Sequence, residues 1–440
     1  MTPAETAPGA GPARARWAVP YARYAVGLLF LAYLVNYMDR IAISVLTQPI
    51  KLSLGLSDTQ VGLLTGPAFA LTYASCGLFL GQWADRGNRS HVLTVAVAIW
   101  SGATALCGMA AGFFQLFACR ILVGFGEAGG TPTCISLVAD YFPKERRSSA
   151  YSALLAGAPA GIFLGSMLAG LVGQSFGWRW AFAIIGLPGF VLAGLVYFTL
   201  RDPRAAAPRP ASPQRPDLRA LAGGLIGSVS LILRIPTARQ LLLSTATGAL
   251  TSQGLFAWMP AFFMRYHHMN LNQTGRWFGI GTGGGMLVGI VIGGLFGDLL
   301  TRRHVRWMVL FPLILSVVTL PLLVVTLTTA DTVVSLSAYT AFNLIGALPL
   351  GMSLNAFQSC LPARVRAMGG ALLMFATSVL GIGTASMIIG MVSDRVHAST
   401  GRDGLAAALL ISVATGLWSM VHAALALRTI EDDVRKAEDA

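Results

Sequence analysis

The chain has 440 residues, of which 55% are hydrophobic and only 11% charged, with 50 glycines. Soluble domains carry about 25% charged residues, so a secreted enzyme, a nucleic-acid-binding domain and a disulfide scaffold are poor fits, and an integral membrane protein is indicated. The formal charge of +13 does not call for a nucleic-acid partner, because basic residues scattered over short loops are what membrane orientation produces.

Residues 1–21 are rich in Ala, Pro, Gly and Arg and hold no apolar run. They read as a disordered tail rather than a cleavable signal, which leaves targeting to the first span. A spanning helix needs roughly 20 apolar residues. Twelve such runs are predicted, near 22–46, 58–82, 91–112, 115–139, 148–174, 180–200, 238–264, 274–299, 306–328, 332–358, 367–391 and 404–427. The expected fold is an all-α membrane protein of 12 transmembrane helices. Six spans fall in 22–200 and six in 238–428, separated by a Pro- and Arg-rich linker at 201–237 and followed by a tail at 429–440. Of the 31 Lys and Arg, 23 lie in segments on the side of the N-terminus, six on the other side, and two, Arg40 and Arg120, within spans. By the positive-inside rule both termini are cytoplasmic.

A weak internal repeat relates the two sets of six. Gly81-Gln-Trp-Ala-Asp85 after span two is echoed by Gly294-Leu-Phe-Gly-Asp298 after span eight, an offset of 213, and Pro143-Lys-Glu-Arg-Arg147 by Pro362-Ala-Arg-Val-Arg366, an offset of 219. Two pseudo-symmetric six-helix bundles in parallel orientation imply a carrier whose halves rock about a site near the midplane.

Four charges fall clearly within spans: Asp39 and Arg40 in span one, Arg120 and Glu127 in span four. Charge inside a bilayer costs several kcal/mol by lenient scales, so these groups face a cavity or one another. Seven residues are nearly two helical turns, which puts Arg120 and Glu127 on one face about 10 Å apart, with Gly124 between them as a further candidate for the substrate site, where the missing side chain lets water, substrate or another helix approach the backbone. An Asp39–Arg120 pair is plausible on depth. Desolvation and a neighbouring guanidinium act oppositely on a carboxyl group, so one that gains and loses its partner during rocking carries protons. Glu127 is assigned as the principal protonation site, Asp39 as a second, coupled one, and Arg120 as the switching counter-charge. Arg40, with Tyr37 and Asn36, is assigned to an anionic substrate group. Spans seven to twelve offer neutral and aromatic candidates for the other wall: Gln253, Phe256, Trp258, Asn343 and Gln358.

Gly81, Asp85, Arg86, Gly87 and Arg89 in GQWADRGNR match the loop motif of the major facilitator superfamily, and Arg120, Gly124 and Gly126 match a span-four motif of that family. NYMDR at 36–40, LSDTQVGLL at 56–64, RILVGFGEAGGTP at 120–132 and DYFPKERR at 140–147 resemble its Spinster branch. The resemblance implies proton-coupled movement of lysophospholipid or sphingolipid-like amphipaths by a monomer in a cell membrane, most simply a bacterial inner membrane. It also implies a cytoplasmic gate in which Asp85, Arg86 and Arg89 work with Asp140. The alternative is a proton-coupled symporter of small organic anions, with Arg40 and Arg120 gripping a carboxylate.

No cofactor or metal is expected. Cys76, Cys107, Cys119, Cys134 and Cys360 lack ligand spacing and read as buried thiols. Two GxGxxG stretches, Gly124–Gly129 and Gly279–Gly284, lie inside spans with no strand before them, so they are read as close helix packing. The chain holds no His-Glu-x-x-His or Gly-x-Ser-x-Gly, and a membrane enzyme is not expected.

Overall fold

A computed structural model describes residues 19–204, 227–301 and 303–439, except for the side chains of 19, 78, 79, 81–86, 144, 145, 298 and 367. The expected tail at 1–21 and linker at 201–237 therefore lie largely outside the described residues. Within them the chain is helical and no strand occurs. Ten helices are long and apolar enough to cross a membrane. With Asp58–Arg86, interrupted at Gly66, and Pro236–Tyr266, they make twelve spans in two sets of six.

Spans one to six are Val19–Leu54, Asp58–Arg86, Arg89–Cys107, Phe113–Tyr141, Lys144–Phe176 and Trp178–Thr199. Spans seven to twelve are Pro236–Tyr266, Leu271–Thr301, Trp307–Thr328, Thr332–Ser359, Arg366–Thr400 and Leu405–Ala426. Spans eight and eleven each contain a π-helical stretch, Gly279–Gly284 and Thr377–Thr384. The internal repeat reappears as a local device. Ser57 and Gln60 form a capping box at the start of span two, Asn270 and Gln273 form the same box at the start of span eight, and both pairs are 213 residues apart.

Contacts between charged ends give the relative direction of the halves. Arg265, at the end of span seven, reaches Asp58 beside the end of span one, so spans one and seven run the same way. Asp433 accepts from the Thr237 amide at 2.9 Å, which brings the C-terminal residues to the start of span seven. Both ends of the described chain therefore lie at one end of the bundle, called here the terminal end.

Two spans outrun their apolar stretches. The hydropathy pattern ends near residues 46 and 391, yet the helices of spans one and eleven continue to Leu54 and Thr400. Their polar extensions carry Lys51 and Asp394, which are paired in protein rather than left in lipid. Residues 429–440, expected as a tail, hold the helix Ile430–Glu438. Ile430, Val434 and Ala437 share its buried face, while Glu431 binds His304 and Arg306 in the loop between spans eight and nine.

The halves touch through small residues on spans two, five, eight and eleven. A Cβ on Gly62 would lie 2.6 Å from the Ser386 carbonyl oxygen, and one on Gly283 would lie 2.5 Å from the Phe163 nitrogen, so side chains there would prevent the helix backbones from meeting. Away from the terminal end one apolar core runs through both halves, with Ile41 and Phe182 from the first and Trp258 and Phe263 from the second. At the terminal end each half has its own core instead. Every hydrogen bond between the halves among the described residues also lies away from the terminal end, from Thr59–Asp394 down to Thr65–Ser386. The molecule is closed at one end and parted at the other.

The middle of the first half is filled by Trp100, which is 1% exposed. Its indole lies against Gly130, and its backbone and Cβ lie against Gly126. Trp100→Ala should cost about 3–5 kcal/mol for the cavity it leaves. The check is the unfolding midpoint of the purified protein, with Trp100→Phe expected to lose much less.

Candidate functional site

The structure pairs Glu127 with Arg40. Arg40 Nη2 and Nε donate to Glu127 Oε2 at 2.5 and 3.1 Å, the carboxylate side chain having no exposure and the guanidinium 15%. Around the Arg40 guanidinium stand Phe69, Tyr37 and Tyr73, with ring centroids at 4.7, 5.0 and 5.1 Å. Rings and carboxylate together replace the water that a charge at this depth lacks.

Arg120 forms no ion pair among the described residues. It is 2% exposed, lies 5.4 Å from the same Phe69 ring, and leaves its Nε without an acceptor. Both carboxylate oxygens of buried Asp39 also lack a hydrogen-bond donor, so the plausible Asp39–Arg120 pair is not formed in this conformation. Helical spacing does place Arg120 and Glu127 on one face. The roughly 10 Å between them along the axis leaves room for Arg40 to enter from span one.

A cavity of about 440 Å³ opens between the halves. Tyr37, Arg40, Phe69 and Arg120 line it from the first half; Gln253, Phe256 and Asn343 line it from the second. Charge is thus confined to one wall. Four residues expected at the site stand away from it. Trp258 is fully buried, its indole donating to the Ser386 carbonyl at 3.0 Å, and packs span seven against span eleven. Gln358 lies beside Gly370, outside the cavity wall. Gly124 faces span two, where a Cβ would come within 2.6 Å of the Phe69 carbonyl oxygen. Asn36 is buried off the cavity. In each case helix rotation, which composition does not reveal, turns the residue into packing.

At the terminal end Arg89 is 1% exposed and binds Asp140 at 2.7 Å, Ser136 Oγ at 2.9 Å and Asp202. Asp202 was not singled out in the sequence; it stands just beyond span six and also accepts the Arg89 amide at 2.7 Å. Burial opposes its ionisation, but the Arg89 side chain and two backbone amides prevail and hold it below the usual carboxylate range. A depressed pKa means that this clamp is retained above the ordinary carboxylate value of about 4 and is released only as pH falls below it. The surroundings of Gly81 and the side chains of Asp85 and Arg86 lie outside what the structure describes.

The closed end depends on Asp58, which is 3% exposed. It accepts from Lys51 of span one at 2.5 Å, from both terminal nitrogens of Arg265 of span seven at 2.7 and 2.9 Å, and from Ser393 of span eleven at 2.6 Å. Asp394 completes the seal by accepting the Asp58 and Thr59 amides at 3.0 and 2.7 Å, placing a carboxylate on the positive start of span two. Sequence patterning points to none of these partners, since charges at span ends read as orientation signals and Asp394 lies 336 residues from Asp58.

Two six-helix halves around a central cavity charged on one side, joined at one end of the bundle and parted at the other, define a membrane transporter. The sequence profile of the Major Facilitator Superfamily matches residues 29–383, and the chain belongs to that family. It is 34% identical over 406 residues to an MFS-type efflux pump of Mycolicibacterium smegmatis, covering 92% of this chain and 90% of that one. It is 32% identical to a hexuronate transporter of Bacillus subtilis over 174 residues, 40% of this chain and 41% of that one. Among solved structures it resembles a bacterial homologue of the human lysosomal transporter Spinster in an inward-facing, unoccupied conformation, at 26% identity and a TM-score of 0.83, covering 94% of this chain and 99% of the other.

Asp58→Asn should weaken the closed end by on the order of 2 kcal/mol, about thirtyfold in the ratio of conformers. Spin labels at Leu52 and Ser399, in a background free of native cysteines, should report a longer distance across that end. An unchanged distance distribution would show that the Asp58 cluster does not hold it shut.

Proposed function

We propose that this chain is a proton-coupled transporter that moves a lysophospholipid or sphingolipid-like amphipath by alternating access. The observation that carries the reading is Arg40, bound on one side to buried Glu127 and open on the other to the cavity. Asp39, Arg40, Arg120 and Glu127 together sum to zero charge when all are ionised. A proton on Glu127 leaves the cluster with one positive charge and frees Arg40, and an anionic headgroup restores neutrality. Proton and anion therefore favour each other's binding, and the cost of charge inside the membrane drives the coupling.

In this reading Glu127 takes up the proton, Asp39 is a second, coupled site, and Arg120 is the counter-charge that remains when Arg40 turns to substrate. Gly81, Asp85, Arg86, Arg89 and Asp140 belong to the gate at the terminal end. The protein works as a monomer in a bacterial inner membrane with that end in the cytoplasm, so the Asp58 seal faces outward and the conformation is inward-facing. The uncharged wall of the second half supports a substrate with an apolar part. A small organic anion is the second reading, and the likeness to a hexuronate transporter over part of the chain favours it.

The test is flux into liposomes under an imposed pH gradient, with labelled lysophospholipid and labelled hexuronate offered separately. Gradient-driven lysolipid uptake is expected, falling about tenfold in Glu127→Gln and losing its pH dependence. Hexuronate uptake alone would move the protein to the second reading. Flux of either compound that ignores the gradient would remove the coupling role of Glu127.

A further inference from the structure

The two halves line the cavity unequally. In the first half the wall comes from spans one, two, four and five, and neither span three nor span six reaches it. In the second half spans seven, eight, ten and eleven contribute, and so do spans nine and twelve, through Ser316, Thr319 and Leu320 on one and Gly416 and Ser419 on the other. These two spans correspond by repeat to three and six. The cavity thus penetrates the second bundle where the first is solid.

The sequence accounts for the difference. Trp100 on span three fills the first half, whereas span nine carries no aromatic residue after Phe311. Gly248, Gly346 and Gly416 also border the space. Gly346 is informative, because a Cβ built there meets nothing within 4 Å and would project into the opening.

The chamber is less polar than its residue types imply. Its hydroxyls donate to main-chain oxygens: Thr251 to Ser412 at 2.9 Å, Ser316 to Pro312 at 2.8 Å, Thr319 to Ser316 at 3.3 Å, and Ser419 to Ser244 at 2.8 Å. The Asn343 amide nitrogen donates to Tyr339 at 2.9 Å. With these donors engaged and no charged side chain among them, the wall has little to offer a charged or strongly hydrated group.

We propose that this side chamber between spans seven, nine, ten and twelve is a binding subsite for the uncharged hydrocarbon chain of an amphiphile whose anionic end lies at Arg40 and Arg120. The inference rests on the proposed function and deepens it, by placing the two ends of one ligand in different halves. Binding across both halves also orients the ligand, since the guanidinium wall accepts only its anionic end. The chamber sets a limit on chain length, because carbons beyond its end have no wall to meet.

The experiment is calorimetric binding of n-alkyl carboxylates, from butyrate to dodecanoate, to the full chain in nanodiscs, with empty nanodiscs as reference. Affinity in the wild type should rise about fourfold per methylene and then level off. Gly346→Leu should abolish most of that rise while leaving butyrate binding unchanged, and Leu320→Ala should move the plateau to longer chains. The Leu320 variant enlarges the space rather than blocking it, so it tests the chamber if Gly346→Leu fails to fold. Affinity that does not depend on chain length, or a Gly346→Leu loss equal for short and long chains, would overturn the chamber and leave the anion site standing. Failure of every carboxylate to bind would overturn both.

Discussion

A carboxylate without solvent exposure, held by a guanidinium from another helix, is the contact on which the interior depends. Glu127 and Arg40 meet as an ion pair between helices, and the pairing offsets part of the several kcal/mol that a charge alone in the bilayer costs. Each therefore positions the helix of the other, and spans one and four meet at a fixed depth. The aromatic cluster of Phe69, Tyr37 and Tyr73 serves the same need, since its rings stand around the Arg40 guanidinium beside the carboxylate while part of the guanidinium stays open to the cavity. The rest of the cavity is shaped around a cation whose surroundings are ring faces and one acid.

The two ends of the molecule handle charge differently. The Arg89, Asp140 and Asp202 cluster lies wholly within the first half and stiffens it as a body. The Asp58 cluster crosses between halves and depends on their relative position. An ion network inside one body survives a rocking motion, whereas one between bodies is broken by it. In this conformation only the second kind joins the halves, and it does so at the end away from the termini.

Span number, the division into halves and the four intramembrane charges could be read from the sequence because each is a one-dimensional signal: apolar length, an offset between similar segments, a charge where none belongs. The partner of Glu127 could not. Helical periodicity relates residues of one span and is silent on which neighbouring span supplies the opposite charge. The same limit hid Asp58, Arg265 and Asp394, whose contacts join distant parts of the chain, and it placed Trp258 and Gly124 in a site that they only support from behind. The helix Ile430–Glu438 escaped notice because only three of its buried residues are apolar, too few for a hydropathy window and visible only as spacing.

The π-helical stretches of spans eight and eleven have a mechanical consequence. Each wide turn stores a surplus residue relative to the α-helix on either side, and the stretch in span eleven runs over Thr377–Thr384. A surplus of this kind moves along a helix as a dislocation moves through a crystal, one hydrogen bond at a time. Span eleven is pinned at one end by Asp394 on the start of span two and is separated from the first half at the other. Such a joint between them allows the two ends to turn by different angles, as a rod yields without snapping.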